Sequence, residues 1–416
     1  MKSAAAFVAD AARLSVATLV AHVILVAALP AISRLYGPAE FGGYALVTSV
    51  ASVLGGAAML RLDAAILSAG LRRQVAHRLL VGAVTILPVT AASAAVLLLL
   101  FQPDPAAAPA VLLAGLAALL VLANGLAQVT RAWALAQGRL NDIVAATLFS
   151  AACRAGGQIA LAWPLGGSSA LVLGECLGRF AAVLRVLRGQ ARRLLRLARL
   201  GRRIGRTLAE HRRFVLFGTP SALLDALGYA ALVPAVAYAF GAVEAGLVAM
   251  AVRLLSVPGQ VVSGNFGDTI QRELASRAQR SGDAAQRLLR FWALRLLALG
   301  VAVIAPIAAV CSAFAGLLLG AEWAGMGPIV PWLALHWICA FAIAPVSRVV
   351  LVADGQRRKL VYDVLAATLP LGLFFLLAAS GLAKAVAAYS LGHVFCYGVY
   401  WLLIDRCSRS LDRVGA

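Results

Sequence analysis

Apolar stretches long enough to cross a bilayer recur from one end of this chain to the other, and no other feature limits its fold so tightly. Residues 79–101 contain no charged side chain, and 328–352 contain one, Arg348. A helix needs about 20 apolar residues to cross the hydrocarbon core, where every backbone N–H and C=O must be satisfied internally. Barrel strands would leave a different trace, short segments of alternating polarity. Composition agrees: 62% of residues are hydrophobic and 13% charged, about half the charge of a soluble domain. The expectation is an all-α integral membrane protein.

Twelve spans fit the apolar runs, at 12–32, 42–60, 79–101, 106–130, 143–163, 168–187, 214–239, 245–266, 291–313, 328–352, 361–380 and 384–404. The net charge of +20 comes mainly from arginine, 34 of the 37 cations. Arg72, Arg73 and Arg78, then Arg139, the 188–213 segment, Arg272 to Arg290, and Arg357 to Lys359 fall in alternate connections. The other connections, 102–105, 163–168, 241–244 and 320–327, carry no Lys or Arg; only Arg34 and Lys384 break the pattern. Cytoplasmic loops collect such charge and anionic membrane lipids are its partners, so nucleic acid is excluded as a partner. Both termini are expected in the cytoplasm of a multi-pass inner-membrane protein. The first apolar run resembles a signal peptide but is too long for one, and the charge alternation needs it as an uncleaved span.

The segment 188–213 carries ten arginines against one acid, Glu210, interleaved with leucines. That pattern predicts an amphipathic linker on the cytoplasmic leaflet. It divides the chain into an N-terminal six-helix lobe, 1–187, and a C-terminal six-helix lobe, 214–416.

The lobes repeat one another. Tyr36-Gly37-Pro38-Ala39-Glu40-Phe41-Gly42 aligns with Phe240-Gly241-Ala242-Val243-Glu244-Ala245-Gly246. Val129-Thr130-Arg131 aligns with Val346-Ser347-Arg348, and Asp142-Ile143-Val144-Ala145-Ala146-Thr147-Leu148 with Asp363-Val364-Leu365-Ala366-Ala367-Thr368-Leu369. Two halves of six spans share one membrane orientation, which predicts a pseudo-two-fold axis along the membrane normal and a substrate site between lobes.

The stretch Ser33-Arg34-Leu35-Tyr36-Gly37-Pro38-Ala39-Glu40-Phe41-Gly42, followed by Arg61-Leu62-Asp63-Ala64-Ala65-Ile66, resembles the polysaccharide transporter family. These are the oligosaccharide flippases of the multidrug, oligosaccharidyl-lipid and polysaccharide exporter superfamily. Phe240-Gly241 through Gly246, then Arg253 and Pro258, resembles that family's seventh-to-eighth span junction. The resemblance implies a V-shaped, two-lobed flippase that moves an undecaprenyl-pyrophosphate-linked oligosaccharide to the periplasmic leaflet. Its cargo would be repeat units of exopolysaccharide, capsule or the O-antigen of lipopolysaccharide. A polysaccharide polymerase and glycosyltransferases would be its partners in biosynthesis. Two departures stand out: the linker is unusually rich in arginine, and the first span holds no deep acid for a coupling ion.

An arginine at the bilayer centre costs about 2.5–3.5 kcal/mol on insertion scales, so each needs a partner or a wet cavity. Arg154 and Arg253 lie deep in their spans, while Arg61, Arg131 and Arg348 lie near cytoplasmic ends and can snorkel. Guanidinium groups match phosphate oxygens bidentately and stay charged. These five are therefore the candidate cargo ligands. Glu175 and Arg179 are spaced to pair on one helix face. Asp225 has Arg253 as a candidate partner on the next span, and Asp63 is a further ion-pair or coupling candidate. Arg154 has no evident partner. His22, His336 and His393 each stand alone as packing residues, and the tryptophans Trp323, Trp332 and Trp337 fit an interfacial belt. The six cysteines show no metal-ligand spacing, and no cofactor motif or catalytic signature occurs, so no metal, cofactor or enzyme activity is expected.

Three rivals remain. A cation-coupled drug or metabolite antiporter of the same superfamily needs an acid-lined site, for which Asp225 is the candidate. A major facilitator permease needs a Gly, Asp and Arg signature absent from residues 71–78. A membrane glycosyltransferase or polymerase needs large periplasmic loops, which this chain lacks.

Overall fold

The computed structural model describes residues 4–57, 87–88, 90–93, 108–188, 190, 219–277, 284–347 and 356–414. Among these residues there are helices and turns and no strand. Seven stretches of the described residues are long and apolar enough to cross a membrane, and Val330–Val346 is a shorter apolar helix. Contacts gather the chain into two compact units, Met1–Ala237 and Tyr238–Ala416. The expected span 79–101 lies almost wholly outside the described residues, as do the 192–213 arginines of the linker.

In the first unit, α1 (Ala4–Ala27) leads into α2 (Leu29–Leu35), and α3 spans Pro38–Ala57. Then come α4 (Ala108–Ala136), α5 (Leu140–Ala160), α6 (Gly167–Leu187) and α7 (Thr219–Ala230). Pro30 sits at the start of α2, where a missing N–H costs least. Helix α6 is the centre of the unit, packing on α5, α4 and α3, while α1 packs on α5 and α7 on α3. Its buried face runs through Leu171, Gly174, Glu175, Gly178 and Ala181. That three-and-four spacing is the mark of a helix packed along one side. Residues expected as a single span at 214–239 form two helices, α7 and α8 (Leu232–Phe240), with a break at Ala231. Pro234 is the reason: it cannot donate to the carbonyl of Ala230, the last residue of α7.

The second unit contains α9 (Ala242–Arg277), α10 (Ala284–Leu319), α11 (Val330–Val346), α12 (Gln356–Leu377) and α13 (Leu382–Val414). Helices α9 and α10 each run 36 residues, about 54 Å of helix against a hydrocarbon core of about 30 Å. The connection expected at 267–290 is therefore helical through Arg277 and again from Ala284. Hydropathy marks where lipid begins, not where a helix ends, and Arg, Glu, Leu and Ala all favour continuing one. The irregular residue in α10 is Phe314, with φ −122° and ψ 16°, rather than Pro306. Between α10 and α11 the expected loop is a 3-10 turn, Ala321–Met326, entered through Gly320 at φ 118°. It tucks Trp323 inside the unit at 1% exposure, whereas Trp332 is 39% exposed. The belt position expected for Trp323 is thus corrected: its indole is core.

Candidate functional site

Helices α5 and α6 approach closely because small residues face each other. A Cβ on Gly174 would lie 2.6 Å from the backbone nitrogen of Gln158, and one on Gly178 would lie 2.8 Å from the carbonyl oxygen of Ser150. Gly174 and Gly178 form a small-xxx-small pair, the pattern by which membrane helices bring their backbones together. Long side chains beside such a contact are forced into each other's reach.

The result is a charge cluster. Arg154 of α5 ion-pairs with Glu175 of α6, Nε to Oε2 at 2.5 Å. Arg179, one turn on, contacts the other carboxylate oxygen at 3.1 Å. The Tyr44 hydroxyl of α3 donates to Glu175 Oε2 at 3.0 Å and accepts from Arg154 Nη2 at 3.1 Å. Glu175 is 4% exposed at its side chain, Arg154 20% and Arg179 42%. Two cations share one anion here, and Arg179 presents its charge outward. The expected Glu175–Arg179 pair is present. The expectation that Arg154 lacks a partner is corrected, because the glycine contact delivers it to the same carboxylate.

Two flanking bonds hold the frame. The Tyr36 hydroxyl donates to the Gln158 carbonyl at 2.7 Å, and Gln158 Nε2 donates to the Leu171 carbonyl at 3.2 Å. Burial and the neighbouring Glu40 push the Tyr36 phenol up to about 12, so it remains a donor. Ser168 Oγ donates to the Glu40 carbonyl at 2.7 Å, joining α6 to the start of α3.

A groove of about 710 Å³ opens on the same unit between α1, α5 and α6. Its walls are Val20, Ile24, Ala145, Leu148, Phe149 and Leu184, and Arg185 and Arg188 stand at one end. Arg185 reaches Asp142 at 2.8 Å, and Arg139 reaches the same carboxylate at 2.7 Å. Two guanidiniums thus meet one carboxylate beside an apolar trough, and Arg188 adds a third cation to its lining. The sequence reading missed Arg185 and Arg188, although the second lies at the first position of the arginine-rich linker.

Of the remaining candidates, Arg131 is exposed near the end of α4, and Arg253 is partly buried in α9. Asp225 lies in α7, a residue of the first compact unit. Arg61, Asp63 and Arg348 lie outside the described residues. His22 is a satisfied packing residue, its Nδ1 2.8 Å from the Thr18 carbonyl oxygen. His336 and His393 are not solitary: their rings lie 4.3 Å apart in the second unit. Among the described residues, no group of three or more His, Cys, Asp or Glu side chains is placed to hold a metal ion.

Several apolar helices of spanning length, packed around buried ion pairs, define a polytopic membrane protein. The fold is similar to that of a multidrug-resistance MATE family transporter of the MOP superfamily in its inward-facing conformation. That match has a TM-score of 0.66 at 15% identity, covering 97% of this chain and 100% of that one. It is also similar to the lipid II flippase MurJ in an inward closed conformation, at 0.64 and 11%, covering 96% and 89%. The eukaryotic MATE transporter AtDTX14 matches at 0.59 and 14%, covering 98% and 99%. Residues 31–328 match the family described as polysaccharide biosynthesis protein, and the chain belongs to that family. No curated protein sequence matches it. The expected fold class, an all-α membrane protein with two six-helix lobes, is the fold of these transporters.

Proposed function

We propose that this protein is a flippase that carries a polyprenyl-pyrophosphate-linked oligosaccharide across the bacterial inner membrane for polysaccharide synthesis. In this reading, lobes 1–187 and 214–416 are joined by the cytoplasmic linker 188–213, and both termini are cytoplasmic. A polymerase and glycosyltransferases act after and before it. The family match and the fold shared with a lipid II flippase support the class of cargo. The observation that carries the reading is the groove on α1, α5 and α6: apolar walls for an isoprenoid chain, with Arg185 and Arg188 where a pyrophosphate would sit. Glu175 is taken up by Arg154, Arg179 and Tyr44, which leaves Asp225 as the acid that a cation antiporter would use.

Within this proposal Arg154 holds Glu175 in place, and cargo phosphate is met by the more exposed Arg179, Arg185 and Arg188. Arg253, with Arg61, Arg131 and Arg348, forms the second set of proposed phosphate contacts. The test is flipping of a lipid-linked oligosaccharide in proteoliposomes. Arg188→Ala should slow it by about tenfold, the effect of losing about 1.4 kcal/mol of binding. Arg188→Lys should recover part, because charge survives while the bidentate fork is lost. Efflux of organic cations by the intact protein, with no flipping of lipid-linked sugar, would replace this reading by the antiporter.

A further inference from the structure

We propose that His336 and His393 form a proton-binding site inside the second unit. The first belongs to α11 and the second to α13, helices that pack against each other. Both residues are buried, at 4% and 5% exposure. Their rings lie 4.3 Å apart at an interplanar angle of 36°. Both ring nitrogens of His336 and Nε2 of His393 have no hydrogen-bond partner. Buried polar atoms are ordinarily satisfied, and three orphans on one pair of rings call for an explanation.

The surroundings are aromatic. Trp337 stacks on His336 at 5.3 Å, Tyr389 lies 4.6 Å from His393, and Tyr397 lies 5.9 Å from His336. Trp337 and Tyr389 lie stacked on His336, the orientation in which an aromatic face partly offsets the cost of an imidazolium. Among the described residues, the titratable groups in ring contact with the pair are each other and the Tyr389 and Tyr397 phenols, all on α11 and α13. No described charged side chain of α9, α10 or α12 makes an ion pair or hydrogen bond with either imidazole. Asp363 of α12 is held by Lys359, and Asp405 of α13 by Arg290 of α10. Two imidazoles fall short of the three or four ligands a zinc site takes. Repulsion between two imidazoliums this close limits the pair to one proton.

Gaining a charge in an apolar interior favours a state in which water reaches it. The pair therefore links proton uptake to a change in the packing of α11 on α13. If the transport reading holds, this is the site of the coupling ion.

The experiment uses the full-length protein without cargo. Imidazolium quenches a stacked indole more strongly than imidazole does, so Trp337 reports the pair. The difference in emission between wild type and Trp337→Phe, followed from about pH 3 to about pH 8, should fall roughly twofold along a one-proton curve. The His336→Phe, His393→Phe double variant should lose that titration and take up one proton fewer per chain in an acid jump. A flat wild-type difference curve overturns the site, even where the double variant fails to fold. Retention of the titration in the double variant overturns it as well. In proteoliposomes, an imposed pH gradient should accelerate flipping by wild type and leave the double variant unaffected. Flipping of wild type that ignores the gradient overturns the coupling role. If the pair titrates but no lipid-linked oligosaccharide moves, the transport reading falls and the proton site stands.

Discussion

Glu175 is one carboxylate held by two guanidiniums and a phenol, and its neighbours differ in how much they depend on it. Removing one partner of a buried pair leaves an uncompensated charge at a cost of about 3–5 kcal/mol. Glu175→Gln should therefore destabilise most, lowering the melting temperature of the purified protein by the largest step. Arg154→Met should cost less, since Arg179 still neutralises Glu175. Arg179→Met should cost under about 1 kcal/mol, as for exposed pairs, yet reduce flipping. If Arg154→Met melts like wild type and abolishes flipping, Arg154 itself contacts cargo. The Glu175–Arg179 pair was legible because the two lie four positions apart on one helix. Arg154 was not, because its partner sits on another helix and no spacing rule reaches across that gap.

At the scale of helices, the α5–α6 contact is made by absence of side chains. Gly178→Ala should place a Cβ against the Ser150 carbonyl and the Arg154 Cβ, costing about 1–3 kcal/mol by overpacking and disturbing the Arg154 ion pair. Gly156→Ala, where nothing lies within 4 Å, is the control and should be neutral or stabilising by up to about 1 kcal/mol. Thermal melting in detergent separates the two; equal effects would mean that the glycines matter only through backbone freedom. The internal repeat also gains a physical meaning here. Both Gly–Glu copies start a helix: Glu40 Oε2 accepts from the Gly37 N–H at 3.1 Å, and Gly241 takes φ 98° just before α9. Both Asp copies have a basic partner, Asp142 in the first turn of α5 with Arg139 and Asp363, two turns into α12, with Lys359. The Gly–Glu copies preserve a helix start and the Asp copies an ion pair with a nearby cation, which is why short local patterns carried the repeat. Breaks such as Ala231 and extensions such as those of α9 and α10 follow from hydrogen bonding and propensity, which hydropathy does not record.

For the whole molecule, charge along the chain makes a prediction independent of side-chain geometry. In a protein stripped of its native cysteines, a Cys at Arg199 should label only from the cytoplasm and one at Glu244 only from the periplasm. The reverse pattern would invert the topology. Replacing Arg192, Arg193, Arg196 and Arg199 by Gln should lower insertion fidelity and leave cargo choice intact, measured as the fraction of chains labelled from the wrong side. Lost flipping at normal topology would make the linker a working part. The sequence alone determined that this protein is a helical membrane protein with a repeated plan, and through its loop motifs it pointed to the family. Those properties depend on solvent and on local hydrogen bonding, which act on residues a few positions apart. Only the tertiary structure brought Arg154 to Glu175, Arg185 and Arg188 to the end of a groove, and His336 to His393. Each of those meetings depends on which helix faces pack together, and packing is decided by shape between segments far apart in the chain.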